Sequence, residues 1–183
     1  NLFNGGFTLV EILVVIMIVA LLVTMAMPMY EKTVEKSRMT ESRTMLKKIL
    51  ESKLRILDNM DTVNYSSGLF GFENLDVSVP CVNSSGEKLS RCEGASIMTK
   101  DFTYKLLPTG TIPGGSTATI ANAVCAVRRS GDYAGVNFLY LGELETDPNK
   151  SKFFCNNGGV TDGCAVYGLD STGSAWCQYI PIF

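Results

Sequence analysis

The N-terminal region of the chain is dominated by one long apolar segment. From residue 7 to residue 29 the sequence reads FTLVEILVVIMIVALLVTMAMPM, and no charged residue occurs between Ile12 and Met29. A helix needs about 20 apolar residues to cross a bilayer, so this segment is long enough. The alternatives are a buried core helix and a secretory signal, but a signal has an apolar region of about 7–15 residues followed by a small-residue cleavage site. No such site follows here, and the pattern predicts a membrane-spanning helix.

A second helical pattern follows directly and continues to about residue 58. This stretch contains no Gly or Pro and is rich in Glu, Lys, Arg, Met and Leu, which favour helix. Its apolar positions recur at helical spacing along one side, namely Met39, Leu46, Ile49, Leu50, Leu54, Leu57 and Met60. The opposite side carries the charged residues Arg38, Lys47, Lys48 and Arg55. Together the two patterns predict one helix of about 50 residues, roughly 75 Å long, that Pro28 kinks or loosens by one turn.

After Met60 the pattern changes to short alternating segments between turns rich in Gly, Ser, Thr and Asn. Candidate strands are residues 101–107, 118–128 and 135–144, with a fourth at 166–169 or 175–180. Period-two alternation broken by glycine-rich turns favours an antiparallel sheet with one apolar face. We therefore expect an α+β fold in which a four-stranded meander packs on the amphipathic half of the helix. Residues 61–100 are expected to form a connecting loop.

Composition narrows the range of possible functions. The chain has 183 residues, a net charge of −2 and no histidine. The charge gives no general basic footprint, so nucleic acid is not expected as a specific ligand, and Lys47–Lys48 and Arg128–Arg129 are interpreted as solvated faces. The lack of histidine removes Ser-His-Asp and Cys-His catalysis and the HExxH zinc motif. No nucleophile–base pair or phosphate loop is recognisable, so we expect no enzyme activity, catalytic residue, metal or cofactor.

The six cysteines all lie in the C-terminal part of the chain, and none forms a CxxC pair. Zinc and iron–sulfur sites usually need closely spaced pairs, whereas widely spaced cysteines in polar loops favour disulfides and an oxidising compartment. Chain proximity favours two bridges, and elimination leaves the third: Cys81–Cys92, Cys155–Cys164 and Cys125–Cys177. Six cysteines allow fifteen pairings, so other connectivities stay open.

Glu11 is the one ionisable side chain within the apolar segment. A carboxylate at the bilayer centre costs about 2.5–3.5 kcal/mol on insertion scales, and less near the edge. Two interpretations are open. Either Glu11 lies at the headgroup level and is solvated, or it is buried against a positive group of another chain.

Residues 6–11, Gly-Phe-Thr-Leu-Val-Glu, resemble the processing site of type IV prepilins and of type II secretion pseudopilins. The resemblance implies that a membrane prepilin peptidase cuts between Gly6 and Phe7 and then methylates the new amine, so that Phe7 becomes N-methylphenylalanine. It also implies that Glu11 pairs with the terminal amine of a neighbouring subunit during assembly, and that Pro28 is the family's helix-loosening proline. Residues 1–6 are then a leader, although they lack the usual Lys or Arg and an initiating Met.

The same resemblance implies a type IV pilin fold, with a long N-terminal helix packed on an antiparallel sheet with disulfide-stapled loops. The expected divisions are a leader (1–6), a transmembrane and assembly helix (7–29), an amphipathic helix (30–60) and a globular domain (61–183). The expected partners are copies of the chain itself, the prepilin peptidase, an inner-membrane assembly platform and, before assembly, lipid. A pilus subunit is the favoured function, since pseudopilins tend to have smaller, cysteine-poor domains. A pseudopilin is the alternative, and a membrane-tethered enzyme or binding module is a more distant one.

Overall fold

The computed structural model of the chain describes residues 8–59, 71–106, 123–141, 153–171 and 177, without the side chains of 57–59 and 141. One helix, α1, spans Leu9–Asn59. The five strands are β1 (Ser96–Met98), β2 (Phe102–Leu106), β3 (Ala123–Arg128), β4 (Asn137–Leu141) and β5 (Phe153–Asn156). Single 3₁₀ turns lie at Phe72–Asn74 and Ala165–Tyr167. The architecture is α+β and pilin-like, as the sequence predicted.

The chain forms two compact units, Asn1–Ser37 and Arg38–Phe183, and α1 contributes residues to both. We call the second unit the head. Pro28 lies inside α1, and the helix continues through it without interruption. The four divisions expected from the sequence remain a prediction.

Within the head, α1 packs on the sheet through the apolar side that its spacing predicted. Leu46, Ile49 and Leu50 are buried. They belong to one core cluster with Tyr104 of β2 and Phe138 of β4. Met60 of the same predicted side lies outside the described residues, and the structure does not describe the side chain of Leu57.

The sheet is an antiparallel meander in which neighbouring strands follow chain order, from β1 to β5. Its register aligns Tyr104 with Ala126, Ala126 with Phe138, and Phe138 with Cys155. The prediction of four strands is therefore wrong, because the sheet has a fifth strand, β1. The last strand, β5, also lies earlier in the chain than either predicted position.

Both misplaced strands are too short to show alternation. Strand β1 has three residues, of which Ile97 alone is buried, and it lies at the end of the predicted 61–100 loop. Strand β5 has four residues in the sequence Phe-Phe-Cys-Asn. Of residues 166–169, Val166 and Tyr167 instead lie in the 3₁₀ turn Ala165–Tyr167, and Gly168 caps it. Residues 175–180, apart from Cys177, lie outside the described residues.

Strand β3 is buried on both faces. Val124 and Ala126 point into the core cluster that contains α1, whereas Ala123 and Cys125 belong to a second cluster with Leu139 and Cys177. A disulfide joins Cys125 to Cys177, so Cys177 lies on the sheet face opposite to α1. The other disulfides are Cys81–Cys92 and Cys155–Cys164, and these are the three pairs expected from the sequence.

Several charged side chains lie in the interior of the head and donate to backbone carbonyls. Lys53 Nζ lies 3.3 Å from the carbonyl oxygen of Ala123, and burial lowers the pKa of Lys53 to about 7. Arg128 was expected on a solvated face, which is wrong. Its side chain is buried because Nη1 donates to the Asp101 carbonyl oxygen at 2.8 Å and its guanidinium lies over the Phe102 ring.

Candidate processing and assembly segment

The first turn of α1 is closed by a reciprocal cap between Thr8 and Glu11. The Glu11 backbone N–H donates to Thr8 Oγ1 at 3.3 Å. In return, Glu11 Oε2 accepts from the backbone N–H and the hydroxyl of Thr8, both at 3.5 Å. This is a capping box, in which a Thr and the Glu three residues later satisfy amides that a helix start leaves unpaired.

The cap explains why a carboxylate is tolerated at this point of an apolar helix. An acidic group in the first turn also interacts favourably with the positive end of the helix dipole. The two interpretations of Glu11 drawn from the sequence do not include Thr8. The Thr-x-x-Glu pattern immediately before an apolar run was the available signal.

The cap also places the Glu11 carboxylate beside the backbone of Thr8, the residue that follows Phe7. Gly6 and Phe7 themselves lie outside the described residues. The Glu11 side chain is exposed, and both contacts of its carboxylate with Thr8, at 3.5 Å, are long for hydrogen bonds. The carboxylate is therefore held only weakly, and a stronger positive partner can compete for it.

Beyond the cap, α1 is apolar on all sides. Every described residue from Thr8 to Tyr30 is exposed, including Leu9, which keeps 88 % of its surface accessible, and Met25, which keeps 75 %. Thr24, the polar side chain in this stretch, donates its hydroxyl to the carbonyl oxygen of Leu21 at 2.8 Å. A helix without a polar face and with its hydroxyl internally satisfied suits lipid or a bundle of similar helices.

Length and composition make α1 able to cross a membrane. The apolar segment of α1 is not buried by other described residues of the chain, unlike the core helix of a globular protein. The helix fits a single-pass precursor held in a membrane by its N-terminal part.

The described residues of the head include neither a metal site nor a free thiol. No group of three or more His, Cys, Asp or Glu side chains there could hold a metal ion, and all six cysteines are in disulfides. Burial raises the pKa of Tyr104 to about 12 and lowers that of Lys53, but both groups lie in the core. These shifts come from packing.

Comparison with known proteins gives one match, at the N-terminus. Residues 3–27 match the family model described as the prokaryotic N-terminal methylation motif. No curated protein and no solved structure matches the chain. The match includes Gly6, Phe7 and Glu11, and it confirms the resemblance drawn from the sequence. The chain thus carries the class III prepilin-type signal, the processing and methylation motif of type IV pilins and pseudopilins.

Proposed function

We propose that this protein is a pilin, a structural subunit of a type IV pilus. The observation that carries the proposal is a capped, fully exposed apolar helix that bears the methylation motif and continues into a disulfide-containing α+β head. The motif supports the pilin and pseudopilin class as a whole. The assignment to a pilus, rather than to a secretion pseudopilus, is our inference.

The proposed assembly follows from the properties of α1. Before processing, the apolar segment holds the subunit in the inner membrane with the head outside the cytoplasm. The prepilin peptidase then cuts after Gly6 and methylates the amine of Phe7. On the assembly platform, the exposed apolar surface of α1 leaves lipid and packs against the same surface of neighbouring copies. Glu11 of one chain then meets the amine of another, which neutralises both charges in a water-poor bundle and sets the axial register.

The three disulfides favour a pilus over a pseudopilus. The periplasm and the cell exterior both permit disulfides, but heads that coat a filament outside the cell are the more exposed and gain stability from covalent cross-links. Pseudopilins tend to have smaller, cysteine-poor domains, whereas the head of this chain carries six paired cysteines.

Electron microscopy of filaments sheared from source cells, with mass spectrometry of their main band, tests the proposal. We expect thin filaments whose principal or minor band contains this chain beginning at methylated Phe7. Deletion of the gene should remove the band and leave secreted enzymes at normal levels. Processed subunit that stays in the cell envelope, together with a secretion defect on deletion, would contradict the pilus assignment and favour the pseudopilin.

A further inference from the structure

Three connecting segments of the head meet at one end of the sheet, and an open cleft lies between them. One is the loop closed by Cys81–Cys92, the second joins β1 to β2, and the third follows β3. The Val82 backbone N–H donates to the Met98 carbonyl oxygen at 2.7 Å, and that of Arg129 donates to the Asp101 carbonyl oxygen at 3.0 Å. The cleft has a volume of about 390 Å³, and its polar lining consists of Lys88, Lys100, Arg129, Ser84, Ser85 and Ser130.

The charge of this cleft differs from that of the chain as a whole. Three cations and three hydroxyls line it, and no acidic side chain does so among the described residues, although the chain has a net charge of −2. The neighbouring carboxylates have partners of their own. Glu87 accepts from the Asn83 side-chain amide at 2.9 Å, and Asp101 pairs with Arg128 at 3.2 Å. The lining itself therefore presents an excess of positive charge to a ligand.

The walls of the cleft are held in place before any ligand arrives. The Cys81–Cys92 disulfide closes the loop at its base. Val82 pairs with Lys88 across the loop, and Gly86 ends its turn with a φ of +87°. On the other wall, Arg129 Nη1 donates to the Thr99 carbonyl oxygen at 2.6 Å. A site whose backbone is already ordered loses less entropy on binding.

We propose that this cleft binds a small phosphorylated carbohydrate. The ammonium groups and the guanidinium suit a tetrahedral oxyanion, which charge-assisted hydrogen bonds hold more strongly than neutral ones. The serine hydroxyls supply both donors and acceptors for sugar hydroxyls. The volume lies within the range of about 300–1,000 Å³ typical of small-molecule sites, so a lone phosphate ion fills only part of it. This activity is independent of filament assembly.

The test uses the full chain in a polyoxyethylene detergent, which carries neither charge nor sugar. Glucose 6-phosphate, inorganic phosphate and glucose are titrated separately while the backbone amides of Gly86 and Ser130 are followed by NMR. We expect saturable shifts with glucose 6-phosphate, weaker binding of phosphate and none of glucose. Lys88→Gln with Lys100→Gln should weaken glucose 6-phosphate binding by about fivefold to tenfold, since each exposed cation contributes modestly.

Lys47→Gln with Arg91→Gln is the matched control, because it removes the same net charge outside the cleft. Arg91 lies in the same disulfide loop but pairs with Glu93 at 3.5 Å. The control should bind glucose 6-phosphate like the unmodified chain. Any of three results would overturn the proposal: no saturable shift at these amides, equal weakening in both double variants, or phosphate binding as tightly as glucose 6-phosphate.

Discussion

Glu11 has one partner within the chain, Thr8, and a second partner in the filament that we propose. Within the single chain, Glu11 takes part in a cap that is worth about 0.5–2 kcal/mol in typical helices. In a bundle of apolar helices, the same carboxylate beside a free amine experiences a much lower dielectric, where an unpaired charge costs several kcal/mol. We therefore expect pairing with the amine of a neighbouring copy to outweigh the cap once subunits leave the lipid.

Substitution of Glu11 separates the two roles. We expect Glu11→Ala to be cleaved normally and to reach its normal membrane level, but to yield few or no sheared filaments, because a buried amine is left unpaired. Glu11→Asp should be intermediate, since it keeps the charge and loses reach. The measurement is filament yield normalised to the processed subunit in the membrane.

Thr8→Ala is the control for this experiment, because it removes the hydroxyl that accepts from the Glu11 amide and keeps the carboxylate. It should retain most of the filaments. Wild-type yield from Glu11→Ala would show that Glu11 is only a solvated group at the headgroup level. Equal losses in Thr8→Ala and Glu11→Ala would assign the effect to the cap.

Lys53 makes the stability of the head depend on pH. Burial lowers its pKa to about 7, whereas an unfolded lysine titrates near 10.5. Between these values the unfolded chain binds more protons, so the free energy of unfolding rises with pH, by about 3 kcal/mol from about pH 7 to about pH 9.5. Tyr104, with its pKa raised to about 12, acts in the opposite sense only above the usual tyrosine pKa of 10.0.

Urea denaturation followed by circular dichroism at the two pH values measures this slope. Lys53→Met should remove most of it, because the side chain no longer titrates. Lys48→Met, an exposed change on the same helix, should keep it. An unchanged slope in Lys53→Met would place the pH dependence on another group.

At the scale of elements, β3 is the centre of the head. Helix α1 covers one of its faces, and the cluster around Cys177 covers the other, so the strand has no solvated side along Ala123–Ala126. The Cys125–Cys177 disulfide joins positions 52 residues apart, whereas Cys155–Cys164 joins positions 9 apart. The Cys125–Cys177 disulfide closes the longer loop, so it lowers the conformational entropy of the unfolded chain more than Cys155–Cys164 does.

Removal of each bridge by paired Cys→Ala substitutions should follow this order. We expect loss of Cys125–Cys177 to cost about 4 kcal/mol and loss of Cys155–Cys164 about 3 kcal/mol, on the chain-entropy model. The free energy of unfolding from urea titration measures both. Thiol labelling of the denatured, unreduced parent should find no free cysteine, and labelling of all six without reductant would contradict the oxidised head.

At the scale of the whole molecule, the chain joins a segment that lipid or like helices can cover to a head that has its own core. The two units serve different environments, and the cut after Gly6 is the proposed step that transfers the first from membrane to filament. In this proposal, membrane retention and assembly both depend on processing.

Gly6→Val tests this step, because the added side chain occupies a position where the peptidase needs a bare backbone. We expect uncut precursor to accumulate in the membrane fraction and filaments to disappear. Intact mass of the wild-type filament subunit should match a chain that starts at Phe7 with one added methyl group. Gly5→Val, the same substitution one residue earlier, should still be cut. Filament subunits that retain residues 1–6 would contradict the prediction.

The sequence alone determined the features that depend on neighbouring residues. The apolar run before Tyr30 and the 3.6-residue spacing of Leu46, Ile49 and Leu50 are local patterns. Each specifies a helix, and the spacing of the second also specifies its buried side. The same holds for the processing motif around Gly6 and Glu11, and the Thr8 cap could have been found in the same way. Short chain separation suggested two of the disulfides.

The tertiary structure alone decided what depends on distant segments. Strand β1 is too short to show a period, and pairing with β2 defines it. Burial of Arg128 is possible because Asp101, which is distant in the chain, accepts hydrogen bonds from its guanidinium. Lys88, Lys100 and Arg129 form one cleft because three turns meet at the same end of the sheet. Such contacts close long loops whose geometry no local pattern encodes, so the methylation motif could be identified from the sequence and the basic cleft could not.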